Sequence, residues 1–374
     1  MADPLRVLLA GGGTAGHVNP MLATASALAG EHGATCAALG TSDGLESRLV
    51  PASGLDLHPV PRVPLPRRPS ADLLRLPTNL RAAVRAAREA IEATGADVVV
   101  GFGGYVATPA YLAARRAGVP VVVHEQNARP GLANKVGART AAAVALTFAT
   151  TPLAARRGRT EVTGLPLRGA VADLVAQRTG DDRGAAARVA GARALGLDPD
   201  RPILLVTGGS LGAQRLNDTL AASAGDLAGV AQVLHLTGRD KDGPVRARVG
   251  DAADYHVLDY LPEMEHALAC ADLVVCRSGA GTVAELSALG LPAVYVPLPH
   301  GNGEQRLNAA DVVGAGGGVL VEDAALTPAY VREHLVPLLG DADRLRAMGE
   351  AAVASGPGDG AGPLAELVVA VARG

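Results

Sequence analysis

The chain has 374 residues and a formal net charge of −3 at pH 7, and 48% of its residues are hydrophobic but only 2% aromatic. This length predicts two domains, and the weak charge with few aromatic side chains excludes the basic, stacking surface of a nucleic-acid-binding protein. Three cysteines without a metal-binding spacing predict reduced, buried thiols rather than disulfides or a zinc site. Because no apolar window is long enough for a signal peptide or a membrane span, we expect neither secretion nor a membrane-spanning helix.

Strands alternate with helices in the first half of the chain. The predicted strand 6–10 runs into a glycine loop, Gly11 to Gly16, and helical character covers 21–29. Further strands are predicted at 34–40, 55–60, 96–101, 119–124, 141–148 and 159–164, with helices at 79–93 and 109–117. This alternation predicts a parallel, doubly wound sheet.

The second half repeats the pattern after the Ala- and Arg-rich segment 171–201, which we interpret as a surface helix and interdomain connection. A strand at 202–207 leads to a second glycine loop, Gly208 to Gln214. Further strands are predicted at 231–236, 255–258, 273–276, 292–296 and 318–321, and a last helix at 364–373. The sequence therefore predicts an α/β protein with two facing Rossmann-like domains, 1–165 and 166–345, and a C-terminal segment, 346–374, that crosses back to the first. Ligands of this architecture bind in the cleft at the carboxyl ends of the sheets.

The first glycine loop fits the dinucleotide-binding pattern G-x-G-x-x-G, which is weakly specific in a glycine-rich chain. The acid that an NAD site places at the end of the second strand comes late here, at Asp43, which disfavours NAD. His17 follows the loop directly, and an imidazole is the side chain best suited to accept a proton near neutral pH. The alternative is a histidine that only bonds the loop backbone.

Polar side chains follow two neighbouring predicted strands. His124 to Asn127 end the strand 119–124, and Gly103-Gly104-Tyr105 follow the strand 96–101. Loop residues placed by a rigid sheet are where binding groups concentrate. His124 and Glu125 could form an imidazole and carboxylate pair, and an ordinary polar strand end is the alternative.

Two turns in the second half suit an anion. The second glycine loop could bind phosphate oxygens through its amides and Ser210, but no Gly-Lys-Ser/Thr follows, which argues against a P-loop. After the strand 273–276, an Arg-Ser-Gly-Ala-Gly-Thr turn opens a helix whose first amides suit a diphosphate. Glu285 is close enough to that helix start to reach a sugar hydroxyl, or else it forms a capping box with Thr282.

The only metal-binding motifs considered are two D-x-D triplets, at 198–200 and 341–343. Both lie at turns or helix starts, where aspartate commonly caps a helix instead of binding a metal. We therefore expect no metal and no other cofactor, with helix N-termini stabilising a diphosphate leaving group. The stretch 62–88 holds seven arginines and one acid among leucines and valines. Such a surface suits an anionic lipid layer, and a solvated helix face is the alternative.

Five segments in order resemble one family: Gly12–His17, His124–Asn127, Gly208–Ala213, Cys276–Ala280 and Gln305–Ala309. It is MurG, the peptidoglycan glycosyltransferases that move N-acetylglucosamine from UDP-N-acetylglucosamine (UDP-GlcNAc) to undecaprenyl-linked muramyl pentapeptide, lipid I, giving lipid II. The resemblance spans nearly the whole chain. It implies a GT-B fold, metal-independent inversion at the anomeric carbon, and peripheral attachment to the anionic cytoplasmic face of the cell membrane, beside the cell-wall and division machinery.

The resemblance also assigns site residues. Glu285 resembles the residue that holds the ribose, Gln305 one that holds the sugar, and the backbone near Leu261 would meet uracil. The full set of donor contacts that it implies is Thr14, Ala15, Gly16, Asn127, Arg168, Ser210, Leu261, Ala280, Gly281, Thr282, Glu285 and Gln305. The acceptor side comprises Thr14, His17 and Tyr105, with His17 favoured as the catalytic base and Glu125 as its competitor. Ala15, Leu165 and Glu304 stand where family members commonly carry Gly, Asn and Gln.

Three other classes of protein stay open. A sugar-nucleotide epimerase of similar fold would act on the donor without a lipid acceptor. An NAD-binding oxidoreductase would bind NADH and ignore UDP. A nucleotide-sugar sensor would bind the donor and turn nothing over.

Overall fold

The computed structural model describes residues 3–63, 72–180, 182 and 184–374. The chain divides into two units: unit 1 comprises Met1–Arg168 with Asp359–Gly374, and unit 2 comprises Gly169–Gly358. The sequence placed the first boundary after residue 165, close to where the chain leaves unit 1.

Seven strands form one sheet in unit 1. They are β1 (Arg6–Ala10), β2 (Thr35–Gly40), β3 (Asp56–Pro59), β4 (Val98–Gly101), β5 (Val121–Glu125), β6 (Ala143–Leu146) and β7 (Arg159–Val162). All neighbours are parallel, in the order β3-β2-β1-β4-β5-β6-β7. The helices are α1 (Ala15–His32), α2 (Glu46–Ala52), α3 (Asp72–Thr94), α4 (Gly104–Ala117) and α5 (Leu132–Gly137). The parallel sheet predicted for this half is confirmed.

Helices cover both faces of this sheet because its strands are apolar at successive positions. In β1, Leu8 packs with Ile91 of α3 on one face, whereas Val7 and Leu9 pack with Met21 of α1 on the other. Side chains alternate across a strand, so a strand buried on both sides needs apolar residues throughout. Polar groups are therefore concentrated where the strands end.

Six strands form the sheet of unit 2. They are β8 (Ile203–Thr207), β9 (Gln232–Leu236), β10 (Tyr255–Leu258), β11 (Leu273–Cys276), β12 (Ala293–Tyr295) and β13 (Gly318–Leu320). All are parallel, in the order β10-β9-β8-β11-β12-β13.

The helices of unit 2 are mostly short. They are α6 (Gly169–Arg178), α7 (Ala185–Ala194), α8 (Gln214–Ala222), α9 (Ala224–Leu227), α10 (Asp242–Val249), α11 (Met264–Cys270), α12 (Ala280–Ala288), α13 (Glu304–Asn308), α14 (Ala310–Gly314), α15 (Pro328–Tyr330), α16 (Val336–Leu339) and α17 (Ala342–Ser355). A 3₁₀ turn spans Asp323–Ala325, and a π-helical turn, Val331–Leu335, joins α15 to α16. The last helix of the chain, α18 (Ala361–Ala372), belongs to unit 1.

The segment 171–201 is part of unit 2 and not a loose connection. Arg178, at the end of α6, donates to the carbonyl of Leu268 in α11 at 3.1 Å. Gly191 of α7 lies so close to the carbonyl of His266 that a Cβ there would come within 2.4 Å of it. The interdomain interpretation was wrong because arginine and glycine, rather than large apolar residues, make these contacts.

Helix α18 packs against α1 and buries Leu364 and Leu367 in the core of unit 1. The chain re-enters unit 1 at Asp359, whose Oδ1 accepts the backbone N–H of Leu167 at 3.1 Å. It re-enters later than residue 346, the position expected from the sequence, because α17 still belongs to unit 2.

The strand order reverses beside the first strand of each unit. In unit 1, β1 lies between β2 and β4, and in unit 2, β8 lies between β9 and β11. The loops after β1 and β4, and after β8 and β11, therefore diverge at the carboxyl ends of the strands, where open α/β sheets bind ligands. These four loops and the first turns of the helices that follow them contain most of the predicted site residues.

Candidate active site

The first glycine loop joins β1 to α1. Because α1 begins at Ala15, Gly16 and His17 lie in its first turn, and the extended Thr14 precedes it. Nδ1 of His17 lies 3.2 Å from the carbonyl oxygen of Gly12 and 3.0 Å from Oγ1 of Thr14. A carbonyl oxygen only accepts, so Nδ1 carries the proton and the lone pair of the neutral imidazole is on Nε2.

A glycine turn between β4 and α4 packs against His17. Gly103 and Gly104 have φ angles of +95° and +77°. A Cβ on Gly104 would come 2.5 Å from the carbonyl oxygen of Gly12, and one on Gly103 would come 3.1 Å from Nε2 of His17. Both positions require glycine, and the close approach fixes the surroundings of the imidazole.

A cavity of about 200 Å³ lies beside the first glycine loop. Its wall includes Gly13, Thr41, Arg62 and Tyr105. Tyr105 is 39% exposed, and the guanidinium carbon of Arg62 lies 5.1 Å from the centroid of its ring, which is a cation–π contact. The predicted acceptor residue Tyr105 thus contributes to a recess next to the loop that precedes His17, lined by both Arg62 and Asp43.

Glu125 ends β5 and is only 2% exposed. Its Oε1 accepts the backbone N–H of Asn127 at 3.0 Å, and its Oε2 accepts the backbone N–H of Gly131 and the side-chain N–H of Asn134 at 2.9 and 3.0 Å. Burial raises the pKa of Glu125, and these hydrogen bonds oppose the rise. Both carboxylate oxygens therefore hold the loop that leads into α5.

His124 does not pair with Glu125, because successive side chains of a strand point to opposite faces. Nε2–H of His124 donates to the carbonyl oxygen of Gly164 at 3.2 Å. Complete burial lowers the pKa of His124 to about 4. The imidazole and carboxylate pair considered from the sequence is wrong.

Sequence reasoning missed Glu46, a fully buried carboxylate at the start of α2. It accepts hydrogen bonds from Thr41 and from the backbone N–H of Gly13. The acid considered at this strand end, Asp43, is exposed. The glycines at 40 and 44 that flank this turn were the signal that could have pointed to a close-packed group.

Asn127 and Arg168, two of the predicted donor contacts, both lie in unit 1. Asn127 is half-buried, and its carbonyl accepts the hydroxyl of Thr151 at 3.1 Å. Arg168 is half-buried and is the residue before α6. The sequence had placed Arg168 in the second domain.

The second glycine loop joins β8 to α8 in unit 2. Gly212 has a φ of +66°, and a Cβ there would come 1.9 Å from the carbonyl oxygen of Thr237. Ser210 is exposed, and the carbonyl of Leu211 accepts Nζ–H of Lys241 at 2.6 Å. The loop that carries Ser210 is therefore held against the end of β9.

Helix α12 begins at Ala280, directly after the extended Gly279. Ala280, Gly281 and Thr282 form its first turn, whose amides have no carbonyl partner inside the helix. Glu285 is half-buried, one turn further along. The predicted helix start is confirmed, but the capping box is wrong because the residue that precedes the helix is Gly279 and not Thr282.

Gln305 lies in α13, and its Oε1 accepts the backbone N–H of Leu298 at 3.0 Å. Arg277, the first residue of the turn after β11, holds the same loop. Its guanidinium donates to the carbonyls of Val296 and Pro297 at 3.0 Å each. The turn after β11 and the loop that orients Gln305 are thus one connected structure.

Leu261 follows β10, and its neighbour Tyr260 lies under the guanidinium of Arg239, 3.8 Å from the ring centroid. The backbone N–H of Arg239 also donates to the carbonyl of Ser210 at 3.5 Å. These contacts connect the Ser210 loop to the turn that carries Leu261. Since β8 and β11 are adjacent, the start of α12 emerges beside the same loop.

Within the described ranges, no three His, Cys, Asp or Glu side chains form a group that could hold a metal ion. Oδ1 of Asp198 accepts the N–H of Asp200 at 3.0 Å, and Oδ1 of Asp341 accepts the N–H of Arg344 at 3.0 Å. The two D-x-D triplets are thus a turn and a helix cap. Metal independence of the reaction stays a prediction.

The chain is similar over nearly its full length to known proteins. The N-terminal domain of glycosyltransferase family 28 matches residues 7–146, and its C-terminal domain matches residues 203–361. A protein of Nocardioides sp. is 52% identical over 374 residues, with 99% of each chain covered, and one of Bifidobacterium longum is 50% identical over 364 residues, with 92% of each covered. Both are named UDP-N-acetylglucosamine--N-acetylmuramyl-(pentapeptide) pyrophosphoryl-undecaprenol N-acetylglucosamine transferase.

Solved structures agree with this assignment. The crystal structure of Acinetobacter baumannii MurG is 28% identical with a TM-score of 0.77, covering 98% of this chain and 100% of that one. A UDP-GlcNAc 2-epimerase from Neisseria meningitidis has a TM-score of 0.69 at 14% identity, with 98% and 99% covered, which shows a common fold alone. The predicted GT-B class and family resemblance are confirmed, and the chain belongs to the MurG family of glycosyltransferase family 28.

Proposed function

We propose that this chain transfers N-acetylglucosamine from UDP-GlcNAc to the 4-hydroxyl of the muramyl sugar in lipid I, giving lipid II with inversion at the anomeric carbon. The observation that carries the proposal is the identity of 50 to 52% with relatives named for this transfer. The two sites support it, since unit 1 offers a base and unit 2 offers a set of anion-binding turns.

Unit 2 binds the donor in this proposal. The amides at the start of α12 and the Ser210 loop take the diphosphate, because helix N-termini and glycine loops stabilise phosphate charge. Glu285 accepts hydrogen bonds from the ribose hydroxyls, Gln305 binds the sugar, and the backbone at Leu261 meets uracil. The family resemblance adds Thr14, Ala15, Gly16, Asn127 and Arg168 of unit 1 to the donor contacts.

Unit 1 supplies the base and the acceptor contacts. His17 takes the proton of the 4-hydroxyl on Nε2, while Nδ1–H stays bonded to Gly12. That hydroxyl attacks the anomeric carbon in line, and UDP leaves. Glu125 is the weaker candidate, because both of its oxygens already accept protein N–H groups. Thr14 and Tyr105 contact the acceptor.

One assay tests the proposal. UDP-GlcNAc with a radiolabelled sugar is incubated with the protein in the presence and absence of a lipid I analogue. We expect label in the lipid product only when the analogue is present. Epimerised UDP-sugar without acceptor would identify an epimerase, and binding without turnover a sensor. Binding of NADH but not UDP would identify an oxidoreductase.

Glu285→Ala is expected to raise the KM for UDP-GlcNAc about 10- to 100-fold, the effect of losing a hydrogen bond to a charged group. The kcat at saturating donor should change much less. Steady-state kinetics with varied donor measure both values. Glu350→Ala removes an exposed acid of α17 and serves as the matched control. An unaltered KM in Glu285→Ala would remove Glu285 from the donor site.

Transfer is expected to continue at full rate in excess EDTA. The proposed mechanism stabilises the leaving diphosphate with backbone amides and needs no divalent cation. Initial rates are compared with EDTA, and with Mg²⁺ or Mn²⁺ added back. Loss of activity in EDTA that either cation restores would contradict the expected metal independence.

We further propose that unit 1 rests on the anionic cytoplasmic face of the membrane. No helix within the described residues is long and apolar enough to cross a bilayer. Leu132 and Val136, one turn apart on α5, are 69% and 37% exposed, and Lys135 and Arg139 beside them are exposed as well. Apolar side chains with flanking cations suit an anionic lipid surface.

The basic stretch 62–88 falls partly outside the described residues, at 64–71. Its last three arginines, Arg81, Arg85 and Arg88, are exposed on α3.

Leu132→Asp combined with Val136→Asp is expected to reduce co-sedimentation with vesicles that contain anionic phospholipid, because it replaces an apolar contact by like charge. Val353→Asp changes an equally exposed valine on α17 of unit 2 and should bind as the wild type does. Equal binding of all three proteins, or equal binding to neutral vesicles, would contradict this membrane surface.

A further inference from the structure

A buried carboxylate lies beneath the loop that precedes His17. Glu46 is fully buried and follows β2 on the first turn of α2. We propose that Glu46 is a positioning residue for the transfer reaction, which fixes the loop whose carbonyl at Gly12 orients the imidazole of His17. The inference rests on the proposed role of His17 as the base.

Three hydrogen bonds define the position of the carboxylate. Oε2 accepts the backbone N–H of Gly13 at 2.9 Å. Oε1 accepts the backbone N–H and the hydroxyl of Thr41 at 2.9 and 2.6 Å. The carboxylate therefore joins the turn after β2 to the loop after β1, two segments that are distant in sequence.

Three glycines make room for this group. A Cβ on Gly12 or on Gly44 would come 2.4 Å from Oε1 of Glu46, and one on Gly40 would come 2.6 Å from its Cγ. Each distance is far below a normal contact, so any larger residue would displace the carboxylate. Glycines from the loop after β1 and from both sides of the turn after β2 thus surround one acid side chain.

Hydrogen bonds offset the cost of burying the charge of Glu46. Burial alone raises the pKa of Glu46, but the hydrogen bonds from Thr41 and Gly13 outweigh it and leave the pKa below its usual value. The group is therefore an anion held by neutral N–H and O–H donors. The lowered pKa means that the folded protein favours the ionised group, and the three hydrogen bonds of this anion fix the geometry of the loop.

The path from Glu46 to His17 is short. Glu46 accepts the N–H of Gly13, and the same peptide unit carries the carbonyl of Gly12 that accepts Nδ1–H of His17 at 3.2 Å. Rotation of that peptide would withdraw the acceptor that keeps the proton on Nδ1 and the lone pair on Nε2. Glu46 thus controls both the orientation and the tautomer of the imidazole.

The test compares two variants that each lose a buried hydrogen bond. In Glu46→Gln, the amide N–H₂ must face the backbone N–H of either Gly13 or Thr41, and a backbone N–H can only donate. We expect kcat to fall about 10- to 100-fold, as for a misplaced catalytic group, with the KM for UDP-GlcNAc unchanged. Thr41→Val keeps the contact with Gly13, so it should melt at a lower temperature but keep kcat within about threefold.

A structural role alone predicts that both variants lose kcat in proportion to their loss of melting temperature, and that result would overturn the inference. A Glu46→Gln variant with the kcat of the wild type would overturn it as well.

A spectroscopic measurement separates this inference from the proposed function. Long-range ¹H–¹⁵N spectra report which nitrogen of His17 carries the proton, and amide exchange reports the bond of Gly13. We expect an Nδ1–H tautomer and a protected Gly13 amide in the wild type, and loss of both in Glu46→Gln. Fast exchange of Gly13 in the wild type would overturn the inference even if the variant does not fold. Failure of the wild type to glycosylate the lipid I analogue would instead refute the proposed function.

Discussion

Replacing His17 by alanine is expected to lower kcat about 10²- to 10⁴-fold, the usual contribution of a general base. Nδ1–H of His17 is bonded to the carbonyl of Gly12, so Nε2 holds the lone pair that accepts the proton of the acceptor hydroxyl. The KM for UDP-GlcNAc should stay near that of the wild type, because most donor contacts proposed here lie in unit 2. Steady-state kinetics with radiolabelled donor measure both values.

Two further variants make the result specific. His58→Ala removes a half-buried histidine of β3 and should keep kcat. Glu125→Gln should lower the melting temperature together with activity, since the new amide would face donors at Asn127, Gly131 and Asn134. If His17→Ala kept its turnover while Glu125→Gln lost it at unchanged stability, the base would be Glu125.

Acidification from pH 7 to pH 5 is expected to lower the unfolding free energy of each unit by about 2 kcal/mol, because each unit contains one buried histidine with a lowered pKa. Burial lowers the pKa of His124 in unit 1 and of His235 in unit 2 from 6.5 to about 4. Below pH 6.5 the unfolded chain binds a proton at each site, while the folded chain stays neutral until about pH 4. Stability therefore falls with pH across this window. Urea unfolding at a series of pH values measures the slope.

The contribution of His235 can be isolated because its hydrogen bonds are defined. The side-chain N–H of Asn217 donates to the carbonyl of Thr237, so its Oδ1 accepts Nε2–H of His235 at 3.1 Å. Nδ1 of His235 then accepts the hydroxyl of Tyr255 at 2.8 Å. His235→Gln removes the titrating group. Between pH 7 and pH 5, the unfolding free energy of this variant should therefore fall by about 2 kcal/mol less than that of the wild type. An exposed histidine, His300→Gln, should leave the slope as it is. An identical slope in His235→Gln would mean that this imidazole has the same pKa in the folded and unfolded protein, and would contradict the prediction.

The inner strands were predictable because they are mostly apolar runs, which a sheet covered on both faces requires, whereas the edge strands β3 and β7 are polar and more exposed. The helix starts were not. We placed the starts of α1, α3 and α4 at least five residues late, and each helix contains a proline near its beginning, Pro20, Pro77 and Pro109. Proline removes one amide donor and normally marks the first turn or the end of a helix. The late start hid the fact that His17 belongs to the first turn of α1.

The position of the candidate site was predictable to the level of its loops. Glycines and polar residues directly after apolar strands identify the carboxyl edge of a parallel sheet, as at His17, Ser210 and the start of α12. The hydrogen bonds within that edge were harder to predict. The bond between Glu46 and Gly13 joins positions 33 residues apart. The bonds of Glu125 are local, but they form only because the loop from Asn127 to Asn134 folds back onto the carboxylate.

Helix α18 determines when unit 1 can be completed during synthesis. Its side chains Leu364 and Leu367 fill the same core as α1, but they leave the ribosome after the whole of unit 2. Unit 2 is continuous in sequence and can fold as its residues emerge, whereas one face of the sheet in unit 1 stays only partly covered until α18 has emerged. Loss of α18 would therefore destabilise unit 1, which is synthesised first. A nascent chain stalled before residue 361 would contain all of unit 2 but would lack the helix that completes the core of unit 1.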